Sequence, residues 1–234
     1  MIKPPLLIAL FSFFTMFSQS EHRYENWSSF GIDYSISKNI EIYSAGQLRI
    51  KSVGEIYNQS FYEIGLKFKI NDFIRSGFGY RGIDQLKDAE NNQLHKKFIR
   101  YHAFLLGSYN FKKYIFRLRL QFQQKNAVGN HDLTSNNYLR TKFEFTRDVI
   151  DWKADPIVGI ELFTKENLNF DENFKKYRFS IGTKLDIKKQ NSFSINYVFQ
   201  KEVKVDSPLI QHILVLKYNF SFKKKLNSSN NYEN

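Results

Sequence analysis

Apolar and polar residues alternate with a period of two along most of this chain. In YIFRLRLQFQQ, Tyr114, Phe116, Leu118, Leu120 and Phe122 share one face, while Arg117, Arg119, Gln121 and Gln123 share the other. A pleated strand sends successive side chains to opposite sides, so such a run separates two unlike environments. FYEIGLKFKI sets Tyr62, Ile64, Leu66, Phe68 and Ile70 against Glu63, Lys67 and Lys69, and YLRTKFEF sets Leu139, Phe143 and Phe145 against Arg140, Lys142 and Glu144. The last run, HILVLKYNFSF, carries Leu214, Leu216, Tyr218, Phe220 and Phe222 on one side. About eleven runs of this kind follow one another, and none shows helical periodicity.

The connections sort by length. Short turns are expected at 38–39, 71–72, 112–113 and 188–191, and longer polar loops at 52–59, 83–96, 125–137, 164–173 and 201–208, with 147–155 intermediate. Short turns at one end and long loops at the other are the asymmetry of an outer-membrane barrel, whose turns lie in the periplasm and whose loops lie outside. The pattern therefore predicts an all-β fold: a single antiparallel up-and-down transmembrane β-barrel of 10–12 strands, with short periplasmic turns and longer extracellular loops. An odd count of eleven conflicts with the even number usual in single-chain bacterial barrels. Ahead of the first run only Glu21 to Asn26 remain, too few for another spanning strand.

The first twenty residues change the picture. MIKPPLLIALFSFFTMFSQS carries one lysine, an apolar run from Leu6 to Phe17 and small polar residues up to Ser20. This predicts a secretory signal peptide over 1–20, since a run of that length falls short of the roughly twenty residues of a spanning helix. The barrel is then expected over 21–222 in the outer membrane, in contact with lipid. Phe222 is a terminal aromatic of the kind barrel-assembly machinery reads, and 223–234 form a basic, Asn/Ser-rich tail expected to be disordered.

Composition adds less. There is no cysteine, so no disulfide. Phe and Tyr, 24 and 14 residues, favour strands and interfacial girdles. The net charge is +12, but Lys and Arg are spread along the chain rather than gathered in one arm, which argues against nucleic acid. A lumen-facing excess of cations leaves a small anionic solute as a possible partner.

LKFKINDFIRSGFGYRG, IRYHAFLLGSYNFKKYIFRLRLQFQ, YLRTKFEF, PIVGIELF, YRFSIGTKLDIKKQNSFSINYVFQKE and HILVLKYNFSF follow one another over nearly the whole mature chain. In this order they resemble an uncharacterised family of small outer-membrane barrels from Bacteroidetes-type Gram-negative bacteria, a domain of unknown function. The resemblance implies location and fold and carries no activity.

The alternation assigns a polar lumen network to Arg100, His102, Arg117, Arg119, Arg140, Glu144, Glu161, Arg178 and His212. It assigns lipid contact to Tyr114, Phe116, Leu118, Leu120, Phe122, Tyr218, Phe220 and Phe222. Such a network either fills a narrow barrel with ion pairs or attracts anions. An enzyme that trims lipid would need a nucleophile with a histidine base on the outer wall. The sequence places His102 and His212 inward, and His22, His95 and His131 near the N-terminus or in loops. The sequence reading is therefore non-enzymatic, with no catalytic residue, metal ligand set or cofactor motif; the loop pair Asp171 and Glu172 reads as solvated. A lipid-acting barrel enzyme and a soluble periplasmic lipid-binding barrel, apolar inside, are the alternatives.

Overall fold

The computed structural model describes residues 21–51, 57–89, 92–129, 136–149, 154–165, 173–188 and 190–223. The segment 1–20 expected to be a signal peptide, His131, Asp171, Glu172 and all but the first residue of the tail lie outside them.

All eleven elements are strands: β1 (Glu21–Ser35), β2 (Ile40–Lys51), β3 (Gln59–Lys69), β4 (Ile74–Ala89), β5 (Asn92–Phe111), β6 (Tyr114–Ala127), β7 (Asn136–Arg147), β8 (Ala154–Lys165), β9 (Phe174–Lys188), β10 (Asn191–Glu202) and β11 (Leu209–Lys223). Each pairs with its sequence neighbours, and β1 pairs with β11 to close the barrel. Within the wall, closure gives each described strand a partner on both sides.

The odd count is resolved at the seam. Ten pairings are antiparallel, but β1 and β11 run parallel, in register from Glu21 with Leu209 to Ser35 with Lys223. Eleven alternating strands leave the first and last pointing the same way, so a parallel pair is the only way to close the circle. Residues 21–26, too few for another strand, lengthen β1 instead.

The sorting of connections holds except at one point. The expected loop 83–96 is mostly strand: β4 reaches Ala89 and β5 begins at Asn92. Neither neighbour follows that far, since β3 pairs with β4 only up to Gln85 and β6 pairs with β5 only from Phe98. The hairpin continues past the rim as a two-stranded ribbon, and His95 sits on β5 rather than in a loop. At the opposite end Lys112 takes a left-handed φ of 54° to turn β5 into β6 in two residues.

Three glycines are needed where the interior is tightest. A Cβ on Gly77 would sit 2.5 Å from the Phe104 ring, and one on Gly65 would meet the Tyr43 ring at 2.5 Å. A Cβ on Gly79 would meet His102 at 2.6 Å. The rings of Tyr43, His102 and Phe104 lie flat across bare backbone of β3 and β4. The interior is not wholly polar, as the alternation implied: Trp27, Val198 and Ile213 pack together inside the wall of β1, β10 and β11, with Val215 against them.

Candidate functional site

The alternation that builds the strands also builds the site. Each strand turns every second side chain inward, and the inward set surrounds a cavity of about 900 Å³ whose lining runs from Arg23 and Leu209 at the loop end to Asn219 at the turn end. Nine arginines and five lysines line it against Glu25, Asp33, Glu63 and Glu144. The lumen is therefore strongly cationic.

At the turn end Lys67, Lys142 and Arg117 are paired, while Arg75 and Lys217 at the same end have no carboxylate within 4.0 Å among the described residues. Lys67 Nζ lies 2.6 Å from Asp33 Oδ1 and 2.5 Å from Glu41 Oε1. Asn219 Nδ2 donates to the other Asp33 oxygen at 2.7 Å. Glu144 receives Arg117 Nη1 at 3.0 Å on one oxygen and Lys142 Nζ at 2.6 Å on the other.

In the middle one buried carboxylate serves three arginines. Glu161 Oε1 accepts from Arg119 Nη2 at 3.0 Å and Arg140 Nη2 at 2.8 Å, and Oε2 accepts from Arg178 Nη1 at 3.3 Å. These come from β6, β7 and β9, so the network ties β8 to both neighbours and to the strand beyond. Across the lumen Glu63 holds Arg81 and faces His102 Nε2 at 3.8 Å. His102 Nε2 also meets Tyr43 Oη at 2.9 Å.

Toward the loop end arginines lie on aromatic rings. The Arg49 guanidinium sits 3.8 Å above the Trp27 ring and Arg81 3.7 Å above Phe61. Arg140, Arg178 and Lys176 gather on Phe163 at 4.6–5.0 Å. A guanidinium lying flat on a ring keeps its N–H groups in its own plane, free to point elsewhere.

Of the residues that the alternation assigns to the lumen, Arg100, His102, Arg117, Arg119, Arg140, Glu144 and Arg178 line the cavity, and Glu161 sits among three of them. His212 is a correction. It lies on the outward face of β11, where its ring stacks on Tyr24 at 4.9 Å and its nitrogens meet His22 Nδ1 at 3.1 Å and Tyr197 Oη at 2.6 Å. Its neighbours Gln211 and Ile213 are the inward pair, so the periodicity read through Leu214 and Leu216 places 212 outside. Tyr114, Phe116, Leu118, Leu120, Phe122, Tyr218, Phe220 and Phe222 are on the outward face, with Leu118 46% exposed. Arg49, Lys176 and Lys217 belong to the lumen but were not singled out, although each alternates with apolar neighbours. Among the described residues no three His, Cys, Asp or Glu side chains could together hold a metal ion.

The family model for "Protein of unknown function (DUF2490)" matches residues 24–206, most of the chain and every strand but β11. The chain belongs to the DUF2490 family. No curated protein matches it. The DUF2490 match covers β8, β9 and the inward faces of β2 to β7, so the Glu161 cluster and the Arg49, Arg81 and Arg100 positions lie inside the family's own segment.

Proposed function

We propose that this protein is an outer-membrane β-barrel whose cationic lumen receives small anionic solutes from the loop side. The observation that carries the reading is the division of one closed wall: apolar outside, charged inside. Outward Tyr62, Phe78, Phe179 and Ile181 are 50–60% exposed, a surface that water alone would penalise. The shortest strand has eleven residues, which at about 3.3 Å each and about 40° of tilt spans roughly 28 Å, enough for the apolar band of such a membrane. A soluble lipid-binding barrel would turn its apolar face inward, the reverse of this wall.

The excess of lumen cations supports anion entry, because field lines focus along a narrow low-dielectric channel. Two measurements test the reading. Fractionation with a heat-modifiable gel shift should place the mature chain in the outer membrane; a mature protein that stays soluble without detergent overturns it. Reconstituted in a planar bilayer, the barrel should pass anions in preference to cations; cation preference would sink the anion half.

The outward His212 favours a second reading, an outer-wall enzyme acting on lipid. Its ring nitrogens meet His22 and the Tyr197 phenol, so neither is turned to the serine or threonine hydroxyl that such an enzyme would use. Lipid hydrolysis by the wild type that vanishes in His212→Ala would revive that reading.

A further inference from the structure

We infer that the loop-side half of the lumen is a binding site for a phosphate-bearing anion, held by Arg49, Arg100 and Lys176. This deepens the anion-accepting reading above and rests on it.

The argument begins with what these three residues lack. Among the described residues no carboxylate lies within 4.0 Å of any of them, whereas Arg81, Arg119, Arg140 and Arg178 all reach one. Arg100 has a buried Nε with no hydrogen-bond partner. Arg49 is held by neutral groups: its Nε donates to Gln47 at 2.7 Å and its face rests on Trp27. Lys176 rests on Phe163.

All three line the same cavity, and Arg178 stands between two of them, 5.1 Å from the Trp27 ring that carries Arg49 and 4.6 Å from the Phe163 ring that carries Lys176. A structural ion-pair network would supply each buried cation with a partner, because an unpaired one destabilises the fold. Cations left mutually repelling, yet positioned by rings and amides, form a site whose missing partner is an anion. One charge would neutralise one residue. A phosphate or diphosphate offers two or more negative charges and several oxygens, which guanidinium forks bind in pairs. Access comes from the loop end, where Arg23, Lys125 and Asn136 line the same cavity.

The test is isothermal titration of the full folded chain in non-ionic detergent micelles, with pyrophosphate as probe at fixed ionic strength. One-to-one saturable binding is expected, at least tenfold weaker in Arg100→Gln and in Arg49→Gln. Lys184→Gln, the same change in net charge on a residue paired with Asp186 at 2.7 Å and outside the cavity lining, should stay within twofold. Because Arg100→Gln removes a repelling charge, its melting temperature without ligand should hold or rise. Pyrophosphate should raise the melting temperature of the wild type and not that of the variant. A barrel shown folded by its gel shift that gives no saturable binding of pyrophosphate or of phosphatidic acid overturns the proposal, as does equal binding by the Arg49→Gln/Arg100→Gln double variant.

A second arm replaces pyrophosphate with phosphatidic acid dispersed in the same micelles. Arg100-dependent binding in that arm alone assigns the phosphate to a lipid headgroup, and in the pyrophosphate arm alone to a free solute. The titration needs neither membrane location nor conduction. A barrel that fractionates with the outer membrane but binds neither pyrophosphate nor phosphatidic acid therefore fails only this proposal.

Discussion

The two halves of the lumen treat the same problem, cations inside a narrow barrel, in opposite ways. At the turn end Lys67, Lys142 and Arg117 each meet a carboxylate, and Asp33, Glu41 and Glu144 come from neighbouring strands to supply them. Those pairs staple strands together, beside Arg75 and Lys217, which have no carboxylate within 4.0 Å among the described residues. Toward the loop end arginines accumulate on Trp27, Phe61 and Phe163, and carboxylates run short. Cation–π contacts orient a guanidinium while leaving its charge intact. The first half sets three of its cations against carboxylates, and the second leaves Arg49, Arg100 and Lys176 without one in contact.

The largest effect should come where the halves meet. Glu161→Gln removes the carboxylate that Arg119, Arg140 and Arg178 share, and leaves the largely buried Arg140 and Arg178 and the partly exposed Arg119 without it. Loss of one partner in a buried ionic cluster costs about 3–5 kcal/mol, so the unfolding temperature of the detergent-solubilised barrel should fall sharply. Glu161→Gln that melts with the wild type would mean the cluster does not hold the wall.

Much of this was legible in the strand pattern, and what was not has physical causes. Period two fixes which side each residue takes, so Arg100, Arg117, Arg119, Arg140 and Arg178 could be sent inward from sequence alone. It says nothing about which residue three strands away a side chain will reach, so the convergence of three strands on Glu161 was invisible. Nor does alternation distinguish an inward polar residue from an inward apolar one that fills the wall, as Ile213 and Val198 do. His212 was misplaced because a histidine looks polar to the pattern, whereas an amphipathic ring can sit outside among Tyr24, Tyr197 and Phe199. The β4–β5 ribbon was hidden by its composition: lysines, aspartate and asparagine read as a loop, yet pairing continues through them. The parallel seam is a consequence of closure and of an odd count, and no local stretch encodes it.

The rings that narrow the interior offer the next test. Gly77→Ala pushes a methyl group into Phe104 and against the Leu66 carbonyl, both 2.5 Å from the new carbon. Overpacking of this kind costs about 1–3 kcal/mol. Gly82→Ala, on the same strand with nothing within 4 Å of its Cβ, should leave the melting temperature unchanged or slightly raised. Equal behaviour of the two variants would break the claim that rings lie on bare backbone there.

Smaller still is Glu144→Gln. Arg117 keeps about a third of its side chain exposed and Lys142 nearly as much, so water can take over from the lost carboxylate. The expected cost is about 1 kcal/mol or less, well below that of Glu161→Gln. If the order of these two variants reversed in the same thermal assay, the turn-end pairs rather than the shared carboxylate would be what secures the wall.

The comparison reaches its limit at the turn between β3 and β4, outside the lumen altogether. Lys69 Nζ sits 2.5 Å from Asp72 Oδ1, and Asp72 is 84% exposed. The hydrogen bond and charge of Lys69 hold the Asp72 carboxyl below its ordinary range. A depressed carboxylate contributes stability that is present above its unfolded pKa and fades as pH falls through the folded value. Asp72 is fully solvated, so its contribution is screened, and Asp72→Asn should leave the melting curve superimposable on the wild type at neutral pH. The two curves should also coincide at a pH well below the folded value, where the carboxyl is protonated in either state. A resolvable difference at neutral pH that salt abolishes would show that even the rim takes part in holding the barrel, and the contrast between a stapled half and an uncompensated half would then have to include its turns.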